Sequence, residues 1–393
     1  MEKFDAERAR RFAWFALAIY IVALGVSATV RTQGDFRIYY RAGEQVLHGG
    51  EIYPLEEKDR FLYAPIFAIG FAPLAAMPIQ LAQLAFFVLN AFGLVQLIRG
   101  AGVLLFGRGR RLPAELVAVP IILVARMINN NVDHGQINLP TLALIVWAII
   151  YSDESSTAWA GLMIATAVLI KPFALLGAAY LVIRRRFAAL GWAIVAGMVL
   201  LVAPVLVFGP HGLIDQTAAY VHAVASMTGR YRTMLTNQSA VSAVARLMSL
   251  SIGDDADTSA IPMKIGMGLE LALTGVVLIW NLADSEDRLA LCALFCIMPS
   301  FAPVSWKSYF AALLVPYMAL LAALWTNRSE TEAPPNEVWL LFGVSALLNL
   351  IATRTALFFS AHFISSLFAL AALYSLWLRR RGIPAQAEQI GSG

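Results

Sequence analysis

The sequence predicts a polytopic all-α membrane protein of about twelve transmembrane helices. Three observations predict it. The 393-residue chain is 60% hydrophobic and only 14% charged, whereas soluble domains are about half apolar and about a quarter charged. Apolar runs of about 14–22 residues recur along most of its length, close to the roughly 20 residues that cross a bilayer core. Four arginine clusters each abut such a run: Arg8/Arg10/Arg11, Arg108/Arg110/Arg111, Arg184/Arg185/Arg186 and Arg379/Arg380/Arg381. By the positive-inside rule each marks a cytoplasmic end. No soluble domain, long linker or barrel-like alternation interrupts the pattern, so residues 1–393 read as one integral membrane domain.

The crossings follow in order once the clusters are placed inside. Phe12–Val30 goes out; its apolar run is longer than a signal-peptide core and reads as a retained first helix. A first external loop covers about residues 31–80. Leu81–Ile98 returns, and Arg99–Arg111 is cytoplasmic. Pro113–Ile128 goes out to the polar loop Asn129–Asn138, and Leu139–Tyr151 returns. Thr157–Ile170 goes out, Lys171-Pro172 turns, and Phe173–Ile183 returns. Phe187–Phe208 goes out to a second external loop, about residues 209–260. Pro262–Leu282 returns, Leu289–Ala302 goes out, Pro303–Ser308 turns, and Tyr309–Trp325 returns. Val338–Ile351 and Ala356–Leu378 complete the scheme, with both termini cytoplasmic. Tyr63–Met77 is apolar enough to span, but an extra crossing would put Arg99–Arg111 outside. It reads as a re-entrant or interfacial helix bounded by prolines; a thirteenth span is the alternative.

Composition also excludes functions. The net charge of +4 sits in short, scattered, juxtamembrane clusters, a poor nucleic-acid surface. Cys292 and Cys296, four apart in an apolar run, read as packing residues without disulfide or metal spacing. Gly253-Asp254-Asp255-Ala256-Asp257 lacks the full spacing of a calcium loop and reads as a solvated acidic turn. No convincing metal-ligand cluster appears, metal dependence is left open, and no other cofactor is expected.

The informative polar residues lie on the external side of this scheme. Asp35 opens an amphipathic stretch with Phe36, Tyr39, Tyr40, Gly43, Val46 and Leu47 at helical spacing and a Gly49-Gly50 stop. Asp35 reads either as the cap of that surface helix or as a base at the membrane surface, and one position can serve both. In the polar loop, Gln136 and Asn138 begin the next helix and carry amides suited to sugar hydroxyls; solubility alone would also make such a loop polar. Arg126 lies just beneath and reads as snorkelling to headgroups or as an anion ligand. Lys171, Lys307, Arg230, Arg232 and Arg354 are external cations against the positive-inside trend, and together could hold a phosphate. Trp306 is the one tryptophan at an external turn. Val241, Val244, Ala245, Leu247 and Met248 form an apolar face expected to lie on the membrane. Glu270 is an isolated mid-span acid.

Several of these residues form an ordered set. Gly34-Asp35-Phe36-x-x-Tyr39-Tyr40, Gly49-Gly50-x-x-Tyr53-Pro54 and Phe61-x-Tyr63-x-Pro65 resemble the first external loop of polyprenol-phosphate-mannose-dependent mannosyltransferases, within the GT-C superfamily of membrane glycosyltransferases. Gly135-Gln136-Ile137-Asn138, Lys171-Pro172 and Pro303-Val304-Ser305-Trp306 are similar to later turns of that family, in the same order. The chain departs from it at Lys307-Ser308-Tyr309, where acidic and histidine residues are common, and at Ala64 before Pro65. The resemblance implies a GT-C-like fold in the plasma (inner) membrane with the active site on the external, periplasmic face. It implies inverting transfer of a sugar, by family default mannose, from a polyprenyl-phosphate donor to a lipid-linked or glycan acceptor, as in glycolipid biosynthesis. Asp35 would be the general base. Lys171, Lys307 and Arg126 would hold the donor phosphate. Gln136, Asn138, Tyr39, Tyr63, His134 and Trp306 would contact sugar or acceptor. A transporter or flippase of a lipid-linked glycan is the alternative; it would favour internal repeats and midplane charges.

Overall fold

The structure, a computed structural model, describes residues 2–30, 34–54, 60–154, 156–227, 231–253, 260–284, 287–326, 336–351 and 353–381. Among these residues it is helical, with no strand beyond a single isolated bridge between Asn237 and Trp306. The first half comprises α1 (Glu2–Val30), α2 (Gly34–His48), α3 (Pro65–Ala75), α4 (Ile79–Phe106), α5 (Ala114–Asp133), α6 (Asn138–Asp153), α7 (Thr157–Ile170), α8 (Leu175–Ile183) and α9 (Phe187–Val202). The second comprises α10 (Val205–Met227), α11 (Ala240–Ile252), α12 (Ala260–Ala283), α13 (Arg288–Ile297), α14 (Leu314–Thr326), α15 (Asn336–Leu350), α16 (Arg354–Phe358) and α17 (Ala361–Arg380). Short 3₁₀ turns precede α8 at Pro172–Ala174, follow α13 at Met298–Ser300, and lead into α14 at Lys307–Leu313.

Among the described residues six segments are long and apolar enough to cross a membrane: Glu7–Ala28, Ile79–Phe106, Ala114–Asp133, Ala260–Ala283, Lys307–Leu324 and Ala361–Arg380. The bent pair α9–α10 makes a seventh if taken as one span. Shorter apolar helices, including α6, α7 and α15, coincide with further expected crossings. The Lys307–Leu324 run is the hub of the bundle, with 94% of its residues buried, and α13 beside it is buried on every side. Cys292 and Cys296 are both buried free thiols there, as packing residues should be. Lipid-type surface lies outside: Phe12, Val22 and Leu206 are largely exposed, Leu206 by 87%.

Ion pairs fix the direction of the bundle. Arg111 pairs with Glu7 at 3.2 Å, Arg108 with Glu154 at 2.6 Å, Arg186 with Asp153 at 2.5 Å and Arg381 with Asp284 at 2.9 Å. Arg288 donates to the Leu105 carbonyl and ties the last group to the others. All four arginine clusters therefore share one end, as the charge reading requires. The start of α2 and the turns after α5 and α7 lie at the other.

Three boundaries differ from expectation. α4 does not stop at Ile98 but runs through Arg99 to Phe106: no proline interrupts it before Gly107, and Gly100 and Gly102 stay helical where they pack closely on Val146 and Leu112. The span Phe187–Phe208 is broken: Pro204 lacks an amide hydrogen to continue the ladder, and the chain bends by 85° between α9 and α10. Much of the supposed loop of residues 209–260 is thus α10 and α11. The last crossing divides at Ser360, which sits at φ 56° between α16 and α17. The acidic turn at Asp254–Asp257 and Arg230 lie outside the described residues.

α2 and α3 match the pattern that suggested them, whereas α11 corrects it: of the face expected to lie on the membrane, Val241 and Ala245 are buried inside the protein. α2 buries Phe36, Tyr39, Ala42 and Gly43, spaced three and four apart, and ends at Gly49 with φ 69°. α3 is the proline-bounded helix expected near Tyr63, and its 11 residues rise only about 16 Å, too short to cross. α11 turns Val241 and Ala245 inward, where Val241 meets Gly266 of α12, while Leu247 stays 49% exposed.

Candidate active site

At the end of the bundle opposite the arginine clusters lies a cavity of about 480 Å³. Most of its lining comes from five places: Asp35 and Tyr39 of α2, Arg60 to Tyr63 before α3, His134 and Gln136 between α5 and α6, Ile170 to Phe173 after α7, and Ala302 to Tyr309. Tyr220 and Val224 of α10 close it on one side.

The turn that delivers Gln136 is built by the backbone. α5 ends with the Gly135 amide bonded to the Val132 carbonyl at 3.0 Å and the Gln136 amide to the Asn131 carbonyl at 2.8 Å. This is a Schellman motif. Gly135 takes the left-handed conformation it requires, φ 66°. The chain thereby reverses, and Gln136 faces α2. Its Nε2 donates to Asp35 Oδ2 at 2.6 Å. The Asp35 backbone amide donates to the His134 carbonyl at 2.9 Å, so two independent bonds hold Asp35 against this turn. Asp35 lies in the first turn of α2, where the helix dipole favours its ionised form.

Lys171 supplies the opposite charge. α7 stops at Ile170 because Pro172 disfavours a helical conformation in the residue before it, and Lys171 is extended at φ −142°, ψ 123°. That break turns the side chain inward, where it is 6% exposed. Its Nζ donates to the Tyr309 hydroxyl at 2.9 Å and lies 4.7 Å from that ring centroid and 4.9 Å from that of Tyr63. Its partners among the described residues are thus a phenol and two ring faces, not a carboxylate. Cation–π contacts of this kind strengthen where water is excluded.

The rings belong to a larger aromatic wall. Tyr39 and Tyr63 share a hydrogen bond at 2.6 Å, and Tyr53 donates to the Tyr63 carbonyl at 2.7 Å. Tyr39, Tyr63, Phe67, Phe71 and Phe86 pack with centroids 4.6–6.1 Å apart. Burial raises the Tyr39 phenol well above its usual range. It raises Tyr63 too, against the opposing charge of Lys171. Both hydroxyls stay protonated.

Of the residues singled out in the sequence, Asp35, Tyr39, Tyr63, His134, Gln136, Lys171, Trp306 and Lys307 all line this cavity. Two do not. Arg126 donates to the carbonyls of Leu350 at 3.1 Å and Ile351 at 2.7 Å, satisfying the C-terminal end of α15. Asn138 is fully buried behind Gln136, because helix geometry turns it toward Asn131 and Ser308. Of the other external cations, Arg354 is exposed and Arg232 buried, and neither lines the cavity. Glu270 is buried in α12, also away from the lining.

Four residues escaped sequence reading. Tyr309, the partner of Lys171, looks like the first residue of a span. Tyr231 packs edge-on to Trp306 at 5.3 Å. Asn237 donates to the carbonyls of Tyr231 and Pro303 and accepts from the Ser305 amide at 2.9 Å, stitching two turns of the wall together. Arg246 braces that stitch from behind. The polar run Thr236-Asn237-Gln238-Ser239 was the available signal.

An acid, its amide partner and a buried cation line one cavity at one end of a helical bundle whose membrane-length apolar segments mark an integral membrane protein. The chain belongs to glycosyltransferase family 87, which residues 61–303 match. Gln136 and Lys171 fall inside the matched range; Asp35, Trp306 and Tyr309 flank it. A relative from Mycobacterium tuberculosis (strain CDC 1551 / Oshkosh), a polyprenol-phosphate-mannose-dependent alpha-(1-2)-phosphatidylinositol pentamannoside mannosyltransferase, is 26% identical over 304 residues. The match takes in 73% of this chain and 65% of the relative, so the chain spans just under two thirds of that protein's length.

Proposed function

We propose that this protein transfers a sugar, mannose, from a polyprenyl-monophosphate donor to a lipid-linked or glycan acceptor, with inversion, at the external face of the plasma membrane. The observation that carries this reading is the pairing of Asp35 with Lys171 around one cavity. A buried cation without a carboxylate partner among the described residues suits a ligand that brings its own negative charge. A carboxylate in the same cavity suits a hydroxyl that must lose a proton. The matched family and the mannosyltransferase relative support both the chemistry and the class of donor.

In the proposed reaction the acceptor hydroxyl meets Asp35, which takes its proton as the oxygen attacks the anomeric carbon. The bond from that carbon to the phosphate oxygen breaks on the opposite face. The electron pair leaves with the polyprenyl phosphate, whose growing charge Lys171 and Lys307 stabilise. Gln136 steadies Asp35, and Tyr39, Tyr63, His134 and Trp306 shape the space for the sugars. The gathering of the arginine clusters at one end of the bundle supports a reading with both termini cytoplasmic.

Asp35→Asn tests the assignment. With polyprenyl-phosphate [¹⁴C]mannose and a membrane lipid extract as acceptor, transfer is expected to fall about 10²–10⁴-fold. Near-wild-type turnover by a folded sample would remove Asp35 from the mechanism.

A further inference from the structure

Behind Asp35 runs a buried chain of side-chain amides that the reaction above does not use. Asn90 of α4 donates to the Phe86 carbonyl at 3.2 Å and accepts from Asn131 Nδ2 at 2.8 Å. Asn131 of α5 also donates to the Gln136 carbonyl at 3.0 Å, and its Oδ1 accepts from the amide and Nδ2 of Asn138 at 3.2 and 3.1 Å. Asn138 Nδ2 donates to Gln136 Oε1 at 2.7 Å and to Ser308 Oγ at 3.0 Å. The Ser308 hydroxyl also donates to Gln136 Oε1. Gln136 Nε2 then reaches Asp35. Asn90, Asn131, Asn138 and Ser308 are at most 2% exposed.

The direction of this chain is forced by its ends. A carboxylate, the Phe86 carbonyl and the Gln136 main-chain carbonyl can only accept. Gln136 must therefore turn its NH₂ toward Asp35 and its oxygen back toward Asn138 and Ser308, which must donate. Each amide has one orientation that satisfies its neighbours. Asn138 shows what this costs: its Oδ1 is buried with no hydrogen-bond partner among the described residues. A flipped Asn138 would present that oxygen to Gln136 Oε1. Packing permits the chain at Gly93, where a Cβ would sit 2.6 Å from Pro140 N. Only glycine lets α4 bring Asn90 this close to the start of α6.

We propose that Asn90, Asn131, Asn138 and Ser308 are positioning residues that lock the Gln136 amide so that it donates to Asp35, holding the carboxylate ionised and aimed into the cavity. The inference rests on the reading of Asp35 as the base, but its test does not need turnover. Infrared difference titration of the protein in detergent follows the carboxyl band that disappears in Asp35→Asn. Ser308→Ala and Asn138→Ala are expected to raise the midpoint of that band by about one pH unit, a tenfold change in proton affinity. Ser308→Thr, which keeps the hydroxyl, is expected to leave it in place. The acid limb of kcat/KM should move with the midpoint while the donor KM stays constant. An unchanged midpoint in Ser308→Ala, with an unfolding temperature near wild type, overturns the proposal; if Asn138→Ala does not fold, Ser308→Ala decides alone. Full transfer by Asp35→Asn would instead defeat the catalytic reading, while the shifted midpoint would still establish the chain.

Discussion

Arg246 and Lys171 are both buried cations without a carboxylate partner among the described residues, and they differ in how their donors are met. Arg246, 1% exposed, donates to the carbonyls of Met234, Asn237 and Phe358 and to the hydroxyls of Ser242 and Ser360. Its fork is filled by fixed acceptors from three segments. Lys171 has one phenol oxygen and two ring faces, and opens on a cavity. Buried charge alone does not mark a functional site; charge left for a ligand to complete does. Arginine suits the first role because its planar fork binds several acceptors at once, and lysine the second because it is a compact point charge.

Four variants test that contrast, from the largest expected effect to the smallest. Lys171→Met should lower kcat about 10²–10³-fold, as loss of one charge-stabilising donor does. Its unfolding midpoint in detergent should hold, because an apolar side chain suits the aromatic pocket. A folded Lys171→Met with normal kcat would end the comparison. Arg246→Met should do the reverse. Three carbonyls lose their donor, and stability should fall by roughly 3 kcal/mol or more in a denaturation series. Activity per folded molecule should stay within about threefold. Tyr309→Phe keeps the ring and removes the hydroxyl bonded to Lys171. A bond to a charged group is worth about 1.5–3 kcal/mol, so the donor KM should rise at least tenfold, read from initial rates. Arg108→Ala breaks a half-exposed ion pair with Glu154 at the far end. Stability should change by less than about 1 kcal/mol, and transfer should be unaffected.

Charge pattern made the frame legible. The arginine clusters assigned Asp35, Gln136, Lys171 and Trp306 to one face, and all four line one cavity. Helical spacing made α2 legible, and its flanking prolines made α3 so. What hydropathy could not reveal was direction within a helix. Arg126 and Asn138 were on the right face of the scheme, yet one satisfies the end of α15 and the other points backward into the amide chain. Both outcomes depend on partners more than two hundred and about one hundred and seventy residues away, respectively. The elbow at Pro204 was hidden because the apolar run continues through it. Tyr309 was hidden because a 3₁₀ turn, not an α-helix, begins that span.

The wall of Tyr39, Tyr63, Phe67, Phe71 and Phe86 also bears on how a ligand is received. Each ring turns about only two side-chain torsions and is already wedged by its neighbours. Long aliphatic or charged side chains would have to be immobilised on contact, at about 0.5–1.5 kcal/mol each. Here that ordering is complete before any ligand arrives. At the face that Tyr39 and Tyr63 present to the cavity, affinity should depend on the fit of the incoming headgroup rather than on the protein closing around it.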